Sequence, residues 1–140
     1  NLILVGMPGS GKSTIGVLLA RLCPDARITM ADINERAVAL AARNARQNGV
    51  SAETLVSDGY ENIAPSFDAI VTNPPIRAGK AVVYKLFAQS AQRLSDGGSL
   101  YVVMRKAQGA ESAEKELKTR FARVETVERG SGYRVFRAEK

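Results

Sequence analysis

The chain has 140 residues, 45% hydrophobic and 24% charged, which fits one globular domain and leaves no apolar run near the ~20 residues that span a bilayer. It has no histidine and a single cysteine, Cys23. This excludes an internal disulfide, a cysteine metal cluster, the usual zinc sites and the Ser-His and Cys-His nucleophile pairs. The net charge of +6 is uneven: residues 1–76 carry six basic and seven acidic side chains, residues 77–140 fourteen basic and seven acidic. A basic second half suits a phosphate-rich partner such as RNA, or is simply a solvated Lys/Arg surface. The sequence opens almost directly on strand residues, which reads as a truncated domain, and shows no signal-peptide pattern. The expected compartment is the cytoplasm, with no membrane partner.

Leu2-Ile3-Leu4-Val5 is a continuous apolar run ending at Gly6, the pattern of a central parallel strand buried on both faces. Ile15, Leu18, Leu19 and Leu22 follow at i, i+3, i+4 and i+7, one face of a helix that Pro24 stops. Arg27–Ala31 is a second strand ending at Asp32, and Asn34 caps a helix over 35–48 that Gly49 terminates. Ala52–Val56 is a third strand, followed by Ser57-Asp58. Phe67–Thr72 is a fourth, running into Asn73-Pro74-Pro75. A helix is predicted near 80–94, with Val83, Leu86, Phe87, Ala91 and Leu94 on one side. Asp96-Gly97-Gly98 reads as a turn before a fifth strand, Ser99–Met104. Residues 110–122 form an amphipathic helix using Ala113, Leu117 and Phe121. Val124–Glu128 and Tyr133–Ala138 close as a hairpin around Arg129-Gly130-Ser131-Gly132.

Strands alternating with helices, then a hairpin, predict a single doubly wound, Rossmann-like α/β domain over 1–140, mostly parallel with an antiparallel C-terminal hairpin. Ligands in such sheets bind past the carboxyl ends of the strands. The glycine loop, Asp32, Asp58 and Asn73-Pro74-Pro75 all lie at such ends and are expected to converge on one crevice.

Gly6-Met7-Pro8-Gly9-Ser10-Gly11-Lys12-Ser13 is a complete Walker A pattern between a strand and a helix. Its glycines let backbone N–H groups turn inward around phosphate oxygens, and the next helix directs its positive end at the anion. On this reading Gly6, Gly9, Ser10, Gly11, Lys12, Ser13 and Thr14 hold phosphate. Lys12 supplies charge and Ser13 ligates Mg²⁺. Residues 1–22 resemble the start of shikimate-kinase-like small-molecule kinases. Ile28-Thr29-Met30-Ala31-Asp32 resembles a Walker B strand, which would add Asp32 to the Mg²⁺ site. Alternatively Asp32 is a helix-entry acid or a ribose ligand.

The remainder, from about residue 28, carries Ala31-Asp32-Ile33-Asn34-Glu35-Arg36-Ala37, Ser57-Asp58, Thr72-Asn73-Pro74-Pro75-Ile76-Arg77-Ala78-Gly79-Lys80, Lys106-Ala107-Gln108-Gly109-Ala110 and Gly132-Tyr133-Arg134-Val135. These stretches resemble class I S-adenosylmethionine (SAM) methyltransferases, nearest the small-subunit ribosomal RNA guanine-N2 type. The residues agree. Asp32 ends a strand where a carboxylate can accept both ribose hydroxyls. Asp58 can accept from an adenine amine. Asn73 before two prolines forms a stiff loop able to accept hydrogen bonds from the exocyclic amine of a target base, with Pro75 or Ile76 stacking on it. The alternative is a rigid turn that ends the fourth strand. Arg77, Lys80, Arg105, Lys106 and Tyr133 are candidate RNA contacts or plain surface.

The family's first motif is an acid-x-Gly-x-Gly-x-Gly turn. Here Leu4 takes the acid's place and the loop is about two residues longer, while Lys12 would repel the SAM sulfonium. Residues 1–22 and 23–140 therefore read as a hybrid. The expected function is binding of ATP or another nucleotide with Mg²⁺ at the glycine loop, without assured catalysis. The alternatives are a SAM-dependent RNA methyltransferase acting on guanine-N2 or adenine-N6, and a weak NTPase or phosphotransferase.

Overall fold

The computed structural model of the chain describes residues 1–6, 16–17, 20–63, 66–74, 76–130 and 132–140. The chain forms two compact units, Asn1–Ala64 and Pro65–Lys140. The predicted phosphate loop over Gly9–Thr14, and the helix positions Ile15, Leu18 and Leu19, lie outside the described residues.

The first unit is built on three parallel strands, β1 (Leu2–Gly6), β2 (Ile28–Asp32) and β3 (Glu53–Val56), in the order β3-β2-β1. Leu2 pairs with Ile28 and Val5 with Ala31; Thr29 pairs with Glu53 and Asp32 with Val56. Ile3, Leu4 and Val5 are all buried, as an unbroken apolar run in a parallel sheet requires. Residues 16–17 and 20–22 are helical, and Val17 is buried. A β-carbon on Gly16 would run into the Met30 side chain, so the absence of a side chain lets this segment lie against β2. Leu22, expected on the apolar helix face, is instead 68% exposed. It is the last helical residue before Pro24.

Helix α1 (Glu35–Gln47) starts and stops where its sequence says. The Asn34 side chain accepts from the Arg36 and Ala37 amides at 2.9 and 3.2 Å, satisfying two of the free first-turn donors. At the other end Gly49, with φ of 65°, donates to the Arg46 carbonyl, and Val50 donates to that of Ala45. That pair of bonds is a Schellman stop, which only a residue tolerant of positive φ completes without strain. Ala41 and Ala45, four apart, form the buried stripe.

The second unit contains β4 (Phe67–Asn73), α2 (Lys80–Arg93), β5 (Leu94–Arg105), α3 (Ala110–Arg120), β6 (Arg123–Gly130) and β7 (Tyr133–Glu139). Its strand order is β4-β5-β7-β6. β4 and β5 are parallel, joined through α2, whereas β5–β7 and β6–β7 are antiparallel. The α/β pattern with parallel pairing first and an antiparallel C-terminal hairpin follows the sequence reading. Leu100, Val102 and Met104 of β5, and Phe136 and Ala138 of β7, alternate into one buried face. Val83, Leu86 and Phe87 of α2, and Ala113 and Leu117 of α3, are the buried helix residues. The expected turn at Asp96-Gly97-Gly98 lies inside β5. Leu94 pairs with Phe67, then pairing resumes with Ser99 opposite Ala69. Gly97, at φ of 79°, lets the strand bow out and return, so turn chemistry appears in the sequence without a break in the element. Among the described residues no helix is long and apolar enough to cross a membrane.

Phe136 is fully buried, so Phe136→Ala should lower stability by about 3–5 kcal/mol in a denaturant titration. The buried Thr72 hydroxyl has no hydrogen-bond partner among the described residues. Thr72→Val keeps the shape and removes that polar atom, and should raise stability by about 1 kcal/mol. Asn34→Ala, losing the cap of α1, should cost about 1 kcal/mol in the same assay.

Candidate functional site

In the first unit the carboxyl ends of β2 and β3 lie side by side. The backbone bond from the Ser57 amide to the Asp32 carbonyl, 2.9 Å, carries the ladder one step past Val56. Asp32 is 3% exposed, and its Oδ1 accepts from the Asn34 amide at 2.9 Å. The same short turn thus holds the carboxylate and begins α1. After β3, Ser57 Oγ donates to the Gly59 carbonyl at 2.9 Å and accepts from the Asn62 amide at 3.2 Å. The Asn62 side chain donates to the Val56 carbonyl at 3.3 Å. These bonds tie the turn down and leave Asp58, on its crest, exposed.

Two residues at this edge were given no role by the sequence reading. Ile33 is 58% exposed and Val56 39% exposed, flanking the acids. Large apolar side chains held open beside carboxylates suit a ligand with one flat apolar part and one hydroxylated part, such as a nucleoside. The signal was available in Asp32-Ile33-Asn34, an isolated apolar residue between two polar ones, but the sequence does not reveal which way it faces. Gly6 ends β1, and the rest of the glycine loop lies outside the described residues. Among the described residues no three Asp, Glu, Cys or His side chains converge on a metal site, at Asp32 or elsewhere.

In the second unit Asn73 ends β4, with its side chain exposed, and Pro74 is buried behind it. The Ile76 amide donates to the Pro74 carbonyl at 2.9 Å, a tight closure, and Ile76–Ala78 forms a single 3-10 turn. Pro75 lies outside the described residues. Gly79, at φ of 98°, then redirects the chain into α2, and its amide donates to the Ile76 carbonyl at 3.1 Å. Proline on one side and a positive-φ glycine on the other give a short, stiff loop with Asn73 at its exposed lip. Arg77 and Lys80 are exposed around it; Arg105 ends β5 on the same edge and Lys106 follows it at the start of a 3-10 turn. Parallel pairing of Thr72 with Val102 brings those two strand ends to one side of the unit.

The methyltransferase small domain family matches residues 8–137 of the chain. The uncharacterized protein YbxB of Bacillus subtilis is 44% identical over 135 residues, 94% of this chain and 67% of that protein. Ribosomal RNA small subunit methyltransferase C of Aeromonas hydrophila is 33% identical over 132 residues, 91% of this chain and 38% of that enzyme. A solved Thermus thermophilus 16S rRNA N2 methyltransferase (RsmC), in complex with AdoMet and guanosine, superposes with a TM-score of 0.81 at 26% identity. That superposition covers 99% of this chain and 37% of the other. The chain spans about two thirds of the Bacillus protein and under two fifths of the other two.

These matches overturn the reading of the chain as a hybrid that binds ATP and Mg²⁺ at a kinase-type loop. The family match begins at residue 8, inside the glycine loop. An alignment covering 94% of 140 residues leaves only about eight outside it, so most of the first 22 residues align with the Bacillus relative as well. The physical reason is that Gly-x-x-x-x-Gly-Lys-Ser fixes only where the backbone can turn and where one cation stands. A strand, glycine loop and helix will present N–H groups to any ligand that approaches the backbone closely, with or without phosphate. Mostly parallel strands with antiparallel C-terminal strands, the Asn-Pro-Pro loop and the family match agree, and the chain belongs to the methyltransferase small domain family.

Proposed function

We propose that this domain transfers the methyl group of SAM to the exocyclic amine of a base in RNA, guanine-N2 being the favoured target. The observation that carries the reading is Asn73 at the open lip of the stiff loop after β4, in a chain aligned over 99% of its length with a structure holding AdoMet and guanosine. The residues at the ends of β2 and β3 fit such a cofactor: a fixed carboxylate for ribose hydroxyls, exposed apolar side chains for the adenine faces, and an exposed acid for its amine.

SAM, when bound, supplies an electrophilic methyl group whose transfer returns the C–S electron pair to sulfur. Asp32 accepts from the ribose hydroxyls, and its bond to the Asn34 amide keeps the carboxylate from rotating away. Ile33 and Val56 flank the adenine, and Asp58 accepts from its amine. Gly6, at the end of β1, has no side chain to obstruct a ligand approaching that strand end. Asn73 accepts an N–H of the target amine through its side-chain carbonyl, which turns the nitrogen lone pair toward the methyl carbon. Pro74 restricts the backbone directly after that acceptor, and Ile76 is the described residue of the loop that can stack on the base. The proton released from the nitrogen passes to water. Adenine-N6 is the second target, since the same acceptor serves either exocyclic amine. Ribosomal RNA as substrate is consistent with a cytoplasmic location.

Calorimetry with SAM should give a dissociation constant in the micromolar to millimolar range, and ATP·Mg²⁺ titrated alongside should give no binding heat. Asp32→Asn keeps an acceptor for the Asn34 amide but removes the charge, and should weaken SAM by about tenfold. Asn73→Ala should bind SAM as the parent does while methyl transfer to small-subunit rRNA drops by about 10²-fold. Absence of SAM binding at millimolar concentration in the parent would reject the proposal.

A further inference from the structure

The C-terminal hairpin places an aromatic ring and a set of unpaired cations on the same edge of the second unit as Asn73. β7 runs antiparallel to β5, so its first residue, Tyr133, pairs with the last residue of β5, Arg105. Directly opposed residues of an antiparallel pair project from the same face, so the ring and the guanidinium stand together. The Lys106 amide donates to the Gly132 carbonyl at 2.8 Å, fastening the end of β5 to the hairpin turn. On the opposite face of the same end, Arg129 of β6 pairs with Arg134 of β7. Among the described residues Arg105, Lys106, Arg129 and Arg134 form no salt bridge. Two arginines directly opposed repel each other, and no acid answers them across the pair.

The ring's position is set by a glycine. Tyr133 also pairs across the hairpin with Gly130, and a β-carbon built on Gly130 would overlap Cε1 and Cζ of the Tyr133 ring. The hydroxyl-bearing end of the ring therefore occupies the space that a side chain at position 130 would need. The residue packs against Gly130 and yet remains 40% exposed. A partly exposed aromatic held against a glycine, beside cations without salt bridges, suits a nucleobase and its phosphates better than an apolar protein surface.

We propose that Tyr133 is a stacking platform for a base flanking the target nucleotide in single-stranded or looped RNA, with Arg105 and Lys106 holding the adjacent phosphates and Gly130 positioning the ring. This rests on the methyl-transfer reading above. Asn73 lies one residue past the Thr72–Val102 pair and Arg105 three. The platform therefore stands two strand spacings, about 10 Å, to the side of the loop and about 7 Å further out. That is beside the reacting base rather than on it.

The test is fluorescence anisotropy with a short 3′-labelled, mixed-sequence single-stranded oligoribonucleotide, titrated at low and at near-physiological salt. Tyr133→Ala should weaken binding by about tenfold, and Tyr133→Phe, which keeps the ring, should bind as the parent does. Gly130→Ala displaces the ring and should mimic Tyr133→Ala. The Arg105→Gln, Lys106→Gln double variant should reduce the slope of log affinity against log salt by about 1.4. Circular dichroism melts and SAM calorimetry on each variant should match the parent. Parent-like RNA affinity in Tyr133→Ala would overturn the proposal, as would a loss that Tyr133→Phe shares. A parent that binds RNA with this pattern but fails to bind SAM would leave the platform standing and sink the methyl-transfer reading.

Discussion

The hydrogen bond from the Ser57 amide to the Asp32 carbonyl is the constraint on which the chemistry of the first unit rests. It extends the parallel ladder one step past the last residue of β3, so two loops that differ in sequence must leave the sheet together. Once they do, Asp32 can close on Asn34, Asn34 can cap α1, and Ser57 can brace the turn that raises Asp58. Each bond is worth only about 1 kcal/mol net. Their effect on geometry is larger than their effect on stability, because they tie the Asp32 carboxylate to the start of α1 and brace the neighbouring turn.

The second unit reaches a comparable result by other means. β4 ends in a loop that begins with Pro74 and is redirected by Gly79, and Asn73 stands exposed at its start. The antiparallel return of β7 then sets Tyr133 against Arg105 at that same edge. In a parallel sheet the carboxyl ends alone face the ligand. A final antiparallel strand adds a strand start to that edge, and the chain uses it to place an aromatic ring among cations.

Most of the elements were legible because their periodicity and stop signals agree. The Asn34 cap, the Gly49 stop, the continuous apolar β1 and the alternating β5 and β7 each say one thing locally and the same thing globally. The exceptions have physical causes. Asp96-Gly97-Gly98 has turn chemistry but is a bow inside β5, because a neighbouring strand supplies pairing on both sides of it. Leu22 continues a helical stripe in sequence but is exposed, because periodicity does not say where packing ends. The glycine loop misled for a related reason. Its pattern describes a backbone that can approach a ligand closely, and does not by itself say which ligand.

By itself the sequence determined the order and type of nearly every element, the carboxyl-end placement of Asp32, Asp58 and Asn73, and the stiffness of the Asn-Pro-Pro loop, since these follow from local propensity and from the rule for parallel sheets. The tertiary structure alone decided which neighbours those residues have. Strand register put Tyr133 over Gly130 and beside Arg105, and parallel pairing put Ser57 against Asp32. It also decided that Ile33 and Val56 stay open to solvent. The Ser57–Asp32 and Arg105–Tyr133 neighbours come from segments 25 or more residues apart, which no local pattern encodes, and the Gly130–Tyr133 pair depends on the register of its hairpin.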